Sequence, residues 1–413
     1  MAERIAEKKK RVVITGIGVI SPNGIGKIKF WDALKNGISG IKKITSFDAS
    51  SFPCQIAGEI SDFNPLDFLE KKEARRMSRC THFAVAAARL ALDDAVFKTH
   101  LTPEVKMGIA LGVSTSALDL IEKEHQAFLK SGVSAISPTS VFSASPNASA
   151  TEVANSLGLS GFKQTVANDC TSGLDAVGLI FEKIKNGELS LGICGGVDAP
   201  ITPLLWGGFC RSGLALNRKD NPESASRPFD LKRTAGIISE GAALLVLEEM
   251  EQALQRHAPL YGELIGYGSG SNKEVEKGMA DAIQKALLQA LIFPSEIDYI
   301  SAHGPSHVLI DRAETDAIKN IFGLGAYRIP ISSIKSMIGN PFTAAGSFQL
   351  AAVPLTFLEG VIPPTINYEY PDPACDLDYV PNKPRYNDVK VALVNSHGMA
   401  GGNVVLLVKK CLI

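Results

Sequence analysis

The chain has 413 residues, of which 45% are hydrophobic and 21% are charged, and its formal net charge is −1. This length and composition indicate a globular protein of two domains or of one large duplicated unit. The near-zero charge argues against nucleic acid or an anionic membrane as a partner. No apolar run is long enough to span a membrane, and the basic N-terminus runs into a predicted strand rather than a signal segment. We therefore expect a cytoplasmic protein.

Helices and strands alternate along the chain, and several strands end at glycine. The predicted strands are 12–15, 106–111, 164–167, 189–194, 242–247, 297–302, 391–394 and 404–409, and the predicted helices are 83–95, 148–157, 174–185 and 280–291. A helix followed by a strand that ends in glycine occurs at 87–112 and again at 283–304, which hints at an internal duplication. Since no low-complexity linker separates the halves, tightly fused layers of helix and sheet fit best.

Seven cysteines are scattered without a CxxC pair, so neither a zinc site nor a disulfide framework is indicated. Most are interpreted as small buried hydrophobic residues. Cys170 differs because the segment from Asn168 to Gly173 (NDCTSG) lies between a short strand and a helix. The dipole and free N–H groups of a helix N-terminus stabilise a thiolate, which is the nucleophilic form. A buried structural cysteine at a turn is an equally good interpretation of this motif alone.

Three further segments carry groups that suit a reactive site. His303 follows a predicted strand and precedes Gly304, a position from which a side chain can enter a pocket. Lys335 lies in an apolar segment, where its charge is costly unless an acid pairs with it, and Glu314 is a candidate partner. The glycine-rich turn 398–402 can present backbone N–H groups, as an oxyanion hole requires. Taken singly, these segments also fit a structural histidine, a solvated lysine and an ordinary turn.

Together and in this order, these segments resemble the β-ketoacyl-acyl carrier protein synthase II family. The opening segment 12–18 and the segment 226–230 (SRPFD) match the same family, and the similarity extends over almost the whole chain. The resemblance implies an α/β thiolase fold with a duplicated αβαβα five-layer core. The N-terminal half would be residues 1–252, with Cys170, and the C-terminal half residues 253–413, with the remaining catalytic groups.

The resemblance also implies the chemistry. Cys170 would take an acyl group from the phosphopantetheine of an acyl carrier protein, and a malonyl-type carrier thioester would lose carbon dioxide and attack that group. His303 would assist decarboxylation, Lys335 paired with Glu314 would organise the site, and the backbone N–H groups of Cys170 and Met399 would form the oxyanion hole. No metal or diffusible cofactor would be needed. The partners implied are the carrier protein and a second subunit, either identical or ketosynthase-like.

Several residues depart from the family pattern. Asn340 stands where the family normally has a second catalytic histidine, and an amide can donate a hydrogen bond but cannot shuttle a proton. His397 and Met399 replace two phenylalanines of the gating loop, and His307 replaces a threonine that contacts pantetheine. With Phe229, these last three residues are the predicted substrate pocket or gate.

Two more departures lie near the predicted nucleophile and lysine. Asp169 replaces a small apolar residue and would raise the thiol pKa unless it points away or is paired. Gln349 replaces a usual glutamate. The loop after residues 266–272 is shorter than in the family.

These departures favour a specialised condensing enzyme of polyketide-like metabolism over a housekeeping one. An acyltransferase or cyclase that does not decarboxylate is the first alternative, favoured by Asn340. A non-catalytic subunit like a chain-length factor is the second, disfavoured by the retained Cys170, His303 and Lys335. The basic run 71–79, predicted on a helix, would attract an acidic carrier protein or would simply be a solvated surface.

Overall fold

The computed structural model describes residues 9–98, 105–215 and 221–411. In these ranges the strands are β1 (Val12–Ser21), β2 (Gly24–Ile25), β3 (Lys42–Lys43), β4 (Ile56–Ala57), β5 (Met107–Gly112), β6 (Phe162–Val166), β7 (Leu191–Asp198), β8 (Gly241–Glu249), β9 (Gly262–Ser271), β10 (Tyr299–Ser301), β11 (Ile331–Ser332), β12 (Val361–Ile362), β13 (Arg385–Tyr386), β14 (Val391–His397) and β15 (Gly402–Lys409). The helices are α1 (Lys27–Lys35), α2 (Lys71–Ala74), α3 (Arg79–Asp94), α4 (Leu118–Ser131), α5 (Ser140–Ser143), α6 (Ala148–Ser156), α7 (Ser172–Lys185), α8 (Pro203–Ser212), α9 (Met250–Gln255), α10 (Val275–Ala290), α11 (Val308–Phe322), α12 (Lys335–Ile338) and α13 (Ala345–Glu359). The first eight residues of the predicted basic N-terminus lie outside the described residues.

The main sheet consists of two halves with the same topology. The first half has the order β6-β5-β7-β8-β1, and the second has the order β11-β10-β14-β15-β9. In each half the first three strands are parallel to one another and the last two are added antiparallel. The halves join where β1 pairs antiparallel with β9. This repeat of order and direction is the structural counterpart of the repeated helix–strand pattern in the sequence.

Side-chain alternation along the strands builds five layers. In β8, Leu245 and Leu247 face the central core, whereas Leu244 and Val246 face the outer core under α3, as the two-residue period of a strand requires. Helix α10 covers the outer face of the second half. Helices α7 and α13 lie between the two halves, and α13 is buried on all sides over most of its length, which explains its uniformly apolar sequence. The predicted αβαβα core is confirmed.

Glycines allow the central layer to close around the start of α7. A Cβ atom added to Gly173 or Gly196 would lie 2.2 Å or 2.1 Å from the carbonyl oxygen of Thr343. No side chain fits at such distances, so only glycine lets α7 and β7 approach the turn that precedes α13. This close packing places the residues before α7, including Cys170, beside segments of the second half.

The predicted helices and strands are all present, although their ends differ by several residues. The basic run 71–79 is not a single helix, because α2 ends at Ala74 and Ser78 caps a new helix by accepting a hydrogen bond from the N–H of Thr81 at 3.3 Å. The division between halves at residue 252 stays a prediction. Within the described ranges, every helix is too short or too polar to cross a lipid bilayer.

Candidate active site

Cys170 lies at a tight corner between β6 and α7. Asp169, which precedes it, has a φ of 51° and begins a single 3₁₀ turn that ends at Thr171. The hydroxyl of Ser172 accepts a hydrogen bond from the N–H of Asn168 at 2.7 Å and donates one to the carbonyl of Asp169 at 2.6 Å. These bonds fix the corner, and the sulfur stands just before the N-terminus of α7.

A cavity of about 560 Å³ connects Cys170 to segments of the second half. The predicted site residues that line it with Cys170 are His303, His307, Asn340, His397 and Met399. Each of these five residues is thus more than 130 residues from Cys170 in the sequence, although all six surround one space. A cavity of this size, mainly apolar and with a few polar groups, is typical of a small-molecule site.

Phe229 does not line this cavity, so its predicted role as a pocket or gate residue is wrong. Its ring is fully buried and stacks on Tyr379 with 4.0 Å between ring centroids. Its backbone, with a φ of 64°, donates an N–H bond to Asp311 at 2.8 Å. Phe229 therefore packs the layer behind the site.

The carboxylate of Glu314 organises the loop that carries His303. It accepts hydrogen bonds from the backbone N–H groups of His303 and Gly304 and from the side-chain amide of Asn395, each at 2.7 Å. Burial raises the pKa of Glu314, and these donors oppose the shift by stabilising the charged form. Glu314 thus joins the ends of β10 and β14 at the cavity.

Lys335 is bonded to different groups from those predicted. Its Nζ donates to the carbonyl of His303 at 2.6 Å and to Oε1 of Gln349 at 2.7 Å. No salt bridge within 4.0 Å joins it to Glu314 in the part of the chain that the structure describes. The predicted direct pair is therefore wrong, because the two groups hold opposite sides of the same peptide. Burial lowers the pKa of Lys335 to about 8, and the charge of Glu314 opposes this shift.

The replacement of a usual glutamate by Gln349 has a clear structural reason. Its side-chain Nε2 donates to the carbonyls of Ser301, Ala302 and Asn395 at 2.9, 2.8 and 3.1 Å. Its oxygen meanwhile accepts from Lys335. An ionised carboxylate can only accept, so it could not make the three bonds that this amide donates.

The thiol of Cys170 is protonated at neutral pH. Burial, together with the charges of Asp198 and Asp169, raises its pKa to about 12, and the charge of Lys335 and a hydrogen bond from the Asn340 side chain oppose that shift. The expectation of a resting thiolate at the start of α7 is therefore wrong, since desolvation outweighs the favourable charges. A reaction at this sulfur needs a group that accepts its proton.

Two buried polar atoms near Cys170 have no partner. These are Nδ1 of His303 and Oδ1 of Asn340, within the described residues. Burial, followed by the charge of Lys335, lowers the pKa of His303 well below its usual value, so its imidazole is neutral. Unpaired buried polar groups are rare in folded proteins and suit a bound ligand.

The turn that follows β14 is pinned to the cysteine corner. The N–H of Ala400 donates to the carboxylate of Asp169 at 3.0 Å, and Gly398 and Gly401 bond within the turn. None of these bonds uses the N–H of Met399, which leaves it available for the predicted oxyanion hole. Asp169 is thus paired, but its charge still raises the pKa of the Cys170 thiol, as the sequence predicted for a nearby acid.

Sequence reasoning missed Asp198, a buried acid at the end of β7. Its carboxylate accepts hydrogen bonds from the backbone and hydroxyl groups of Ser114, Thr115 and Thr343. It therefore ties β5 and β7 to the turn before α13. A single acid at the carboxyl end of an otherwise apolar strand was the signal that could have identified it.

A duplicated αβαβα core with a cysteine at the start of its buried central helix defines the thiolase-fold class of enzymes. Family comparison is more specific. Residues 9–253 match "Beta-ketoacyl synthase, N-terminal domain", and residues 263–369 match "Beta-ketoacyl synthase, C-terminal domain". The chain belongs to the beta-ketoacyl synthase family, a family of condensing enzymes.

Individual relatives agree with this assignment. The 3-oxoacyl-[acyl-carrier-protein] synthase 2 of Synechocystis sp. is 40% identical over 410 residues, which cover 98% of this chain and 99% of the relative. The tetracenomycin polyketide synthase ketoacyl synthase alpha subunit of Streptomyces glaucescens is 40% identical over 407 residues, with 95% of each chain covered.

Solved structures are similarly close. The ishigamide ketosynthase/chain length factor matches with a TM-score of 0.91 and 33% identity, covering 98% of this chain and 100% of that one. A ketosynthase complex with its type II polyketide acyl-carrier protein, AntDE:AntF, matches with a TM-score of 0.90 and the same identity and coverage. The predicted family and the thiolase fold are confirmed.

Glu314→Gln tests the hydrogen bonds of the buried carboxylate. We expect the free energy of unfolding to fall by about 2–4 kcal/mol, because the new amide NH₂ cannot accept an N–H bond and the negative charge opposite Lys335 is lost. Urea denaturation measures the loss. The control Glu369→Gln removes a 58% exposed partner of Arg227 and should cost less than about 1 kcal/mol. Equal losses in the two variants would contradict the organising role of Glu314.

Proposed function

We propose that the chain is a ketosynthase-type condensing enzyme. It forms a carbon–carbon bond between an acyl group on Cys170 and a malonyl-type extender on an acyl carrier protein, in specialised, polyketide-like metabolism. The observation that carries the proposal is the single cavity that Cys170, His303 and Asn340 line together. The names of the relatives, which include a 3-oxoacyl-[acyl-carrier-protein] synthase 2 and a polyketide synthase ketoacyl synthase alpha subunit, support it.

The first half-reaction loads Cys170. Its sulfur attacks the thioester carbonyl of the acyl carrier, the carbon–sulfur bond to the carrier breaks, and the carrier thiol leaves with the proton. The negative oxygen of the tetrahedral intermediate accepts hydrogen bonds from the backbone N–H groups of Cys170 and Met399. Such fixed donors stabilise charge that develops only in the transition state.

The second half-reaction extends the acyl group. The extender thioester loses carbon dioxide, and the enolate oxygen accepts hydrogen bonds from neutral His303 and from the amide of Asn340. The carbanion then attacks the acyl carbonyl, and the sulfur of Cys170 leaves as a thiolate near the charge of Lys335. In this step both side chains donate hydrogen bonds and neither needs to give up a proton.

We also propose that no metal or diffusible organic cofactor takes part. The nucleophile is a side chain of the protein, and both acyl groups arrive on the phosphopantetheine of the carrier. Exposed basic residues at Lys71, Lys72, Arg75 and Arg76 would attract an acidic carrier. Arg79 does not belong to this surface, because it bonds to the buried Glu240. The related structure with a bound carrier protein supports this partner.

A non-decarboxylating acyltransferase or cyclase is the second candidate. Asn340 favours it, since an amide cannot accept or deliver a proton at the extender. In that case Cys170 would pass its acyl group directly to an amine, an alcohol or another thiol. A subunit without catalytic function is disfavoured, because Cys170 reaches the cavity and His303 and Lys335 are held in place around it.

We further propose that a second subunit, either another copy or a related ketosynthase-like chain, covers two exposed features. Strand β6 is the last strand of its half-sheet and has one unpaired edge. An apolar groove also lies between α4 and α5, and exposed Phe142 and Val141 belong to the same segment. Unpaired edges and apolar grooves are typical of interfaces. The related ketosynthase/chain length factor structure supports a partner of this kind.

Carbon dioxide release tests the main proposal. With an acyl donor and carboxyl-labelled malonyl-carrier protein, we expect the wild-type protein to release label and to form a product longer by two carbons. Cys170→Ala should form no condensation product, because the attacking sulfur is absent. The control Cys411→Ala, at the far end of the last strand, should behave like the wild type. Acyl transfer without release of label would contradict condensation and establish the second candidate.

Phe142→Asp tests the subunit contact. We expect the wild-type protein to have twice the mass of one 43.9 kDa chain in light scattering, and the variant to be a monomer, because Phe142 is 76% exposed in the single chain and would be buried in the dimer. Leu324→Asp changes another exposed apolar side chain, 87% exposed, which lies outside α4 and α5, and this variant should stay dimeric. A monomeric wild-type protein would contradict pairing with a second copy.

A further inference from the structure

The protein fixes the tautomer of His397. Its Nδ1 lies 2.9 Å from Oδ1 of Asn403, and the Nδ2 of Asn403 donates to the carbonyl of Gly401 at 3.1 Å. The amide oxygen of Asn403 therefore faces the ring. Because that oxygen can only accept, the imidazole proton is on Nδ1 and the lone pair is on Nε2. His397 lines the cavity with Cys170, and none of the described residues forms a hydrogen bond to its Nε2 atom.

His397 and His303 lie side by side in different surroundings. Their ring centroids are 5.9 Å apart and their planes meet at 75°. Burial lowers the pKa of His303, and the charges of Lys335 and of His397 itself lower it further. Burial likewise lowers the pKa of His397, but the bond to Asn403 favours its charged form. Both rings are therefore neutral at rest, but nearby positive charges oppose a charge on His303, whereas a hydrogen bond favours a charge on His397.

Other charged or titratable groups surround the same space. Besides the two histidines, those lining the cavity are Cys170, Lys273 and His307. Asp169 lies under the 398–401 turn and is bonded to Ala400. None of these groups is a carboxylate in contact with His397, so its protonation depends chiefly on burial and on Asn403.

We propose that His397 is a catalytic acid–base residue that takes the proton of Cys170 as the sulfur attacks the carrier thioester, an inference that rests on the proposed function. The new bond joins Sγ to the acyl carbon, and the bond that breaks joins that carbon to the carrier sulfur. The proton passes from Sγ to Nε2 of His397 and then to the departing carrier thiolate. The imidazole ends the step neutral, as it began.

This role resolves two features of the site. The thiol of Cys170 is protonated at rest, so its attack needs a base, and His303 is held neutral beside a cation. Asn340 cannot accept a proton, although it replaces a histidine in the resembled family. His397 supplies an accepting nitrogen from the gating loop, where that family has a phenylalanine, so the lost acid–base group is regained at another position.

The test is the rate at which Cys170 is acylated, measured against pH. The wild-type rate should fall on the acid side with a midpoint below about 6.5, because burial lowers the pKa of His397 and a protonated ring cannot accept a proton. His397→Gln should slow acylation by about 100-fold or more, and its rate should rise steadily with pH without the wild-type midpoint, because it then follows the thiolate fraction of Cys170. Asn403→Asp should move the limb to higher pH, because a carboxylate favours the charged imidazole.

A control variant and a second measurement, the alkylation of Cys170, distinguish failure of this proposal from failure of the proposed function. His257→Asn changes an exposed histidine with a φ of 55°, which asparagine tolerates, and should leave the pH profile unchanged. Alkylation of Cys170 by iodoacetamide needs no carrier, so it tests His397 even if acyl transfer itself fails and the proposed function with it. The same midpoint as in the wild type, if it persists in folded His397→Gln in acylation and alkylation alike, would overturn the proposal. If that variant does not fold, an unmoved limb in Asn403→Asp would overturn it.

Discussion

A buried carboxylate and a buried ammonium hold opposite sides of one peptide bond at the centre of this structure. Glu314 accepts the N–H of Gly304, and Lys335 donates to the carbonyl of His303. Both charges are expensive to bury, and each is stabilised by several hydrogen bonds. Their joint effect is to fix the His303 loop at the ends of three strands from the second half. Without that constraint, the histidine would have no defined position relative to a cysteine from the first half.

Burial of this region also decides which groups of the site carry a proton at rest. It keeps the thiol of Cys170 and the ring of His303 uncharged, although the charges of Lys335 and Glu314 lie beside them. Uncharged reacting groups suit substrates that arrive as thioesters and develop charge only during reaction. It also makes a proton acceptor necessary, and His397 is oriented by Asn403 to be one. The departures from the family pattern thus form a consistent set.

Much of the site could be predicted from sequence because its motifs are local. Cys170, His303 and Asn340 each lie at the end of a strand or beside glycine, and their order along the chain identified the family. The roles that failed depend on tertiary contacts. Phe229 packs on Tyr379 instead of reaching the cavity, and Lys335 bonds to Gln349 instead of Glu314. The depth at which Cys170 is buried, which decides its protonation, is not encoded in any short motif.

The central claim is that the sulfur of Cys170 is the atom that carries the acyl group. The most direct measurement is peptide mass mapping of the wild-type protein after exposure to an acyl-carrier thioester. The added acyl mass should be confined to the peptide that contains Cys170, and hydroxylamine, which cleaves thioesters, should remove it. An unmodified Cys170, or acyl mass on a different cysteine such as Cys210, would show that another atom carries the acyl group.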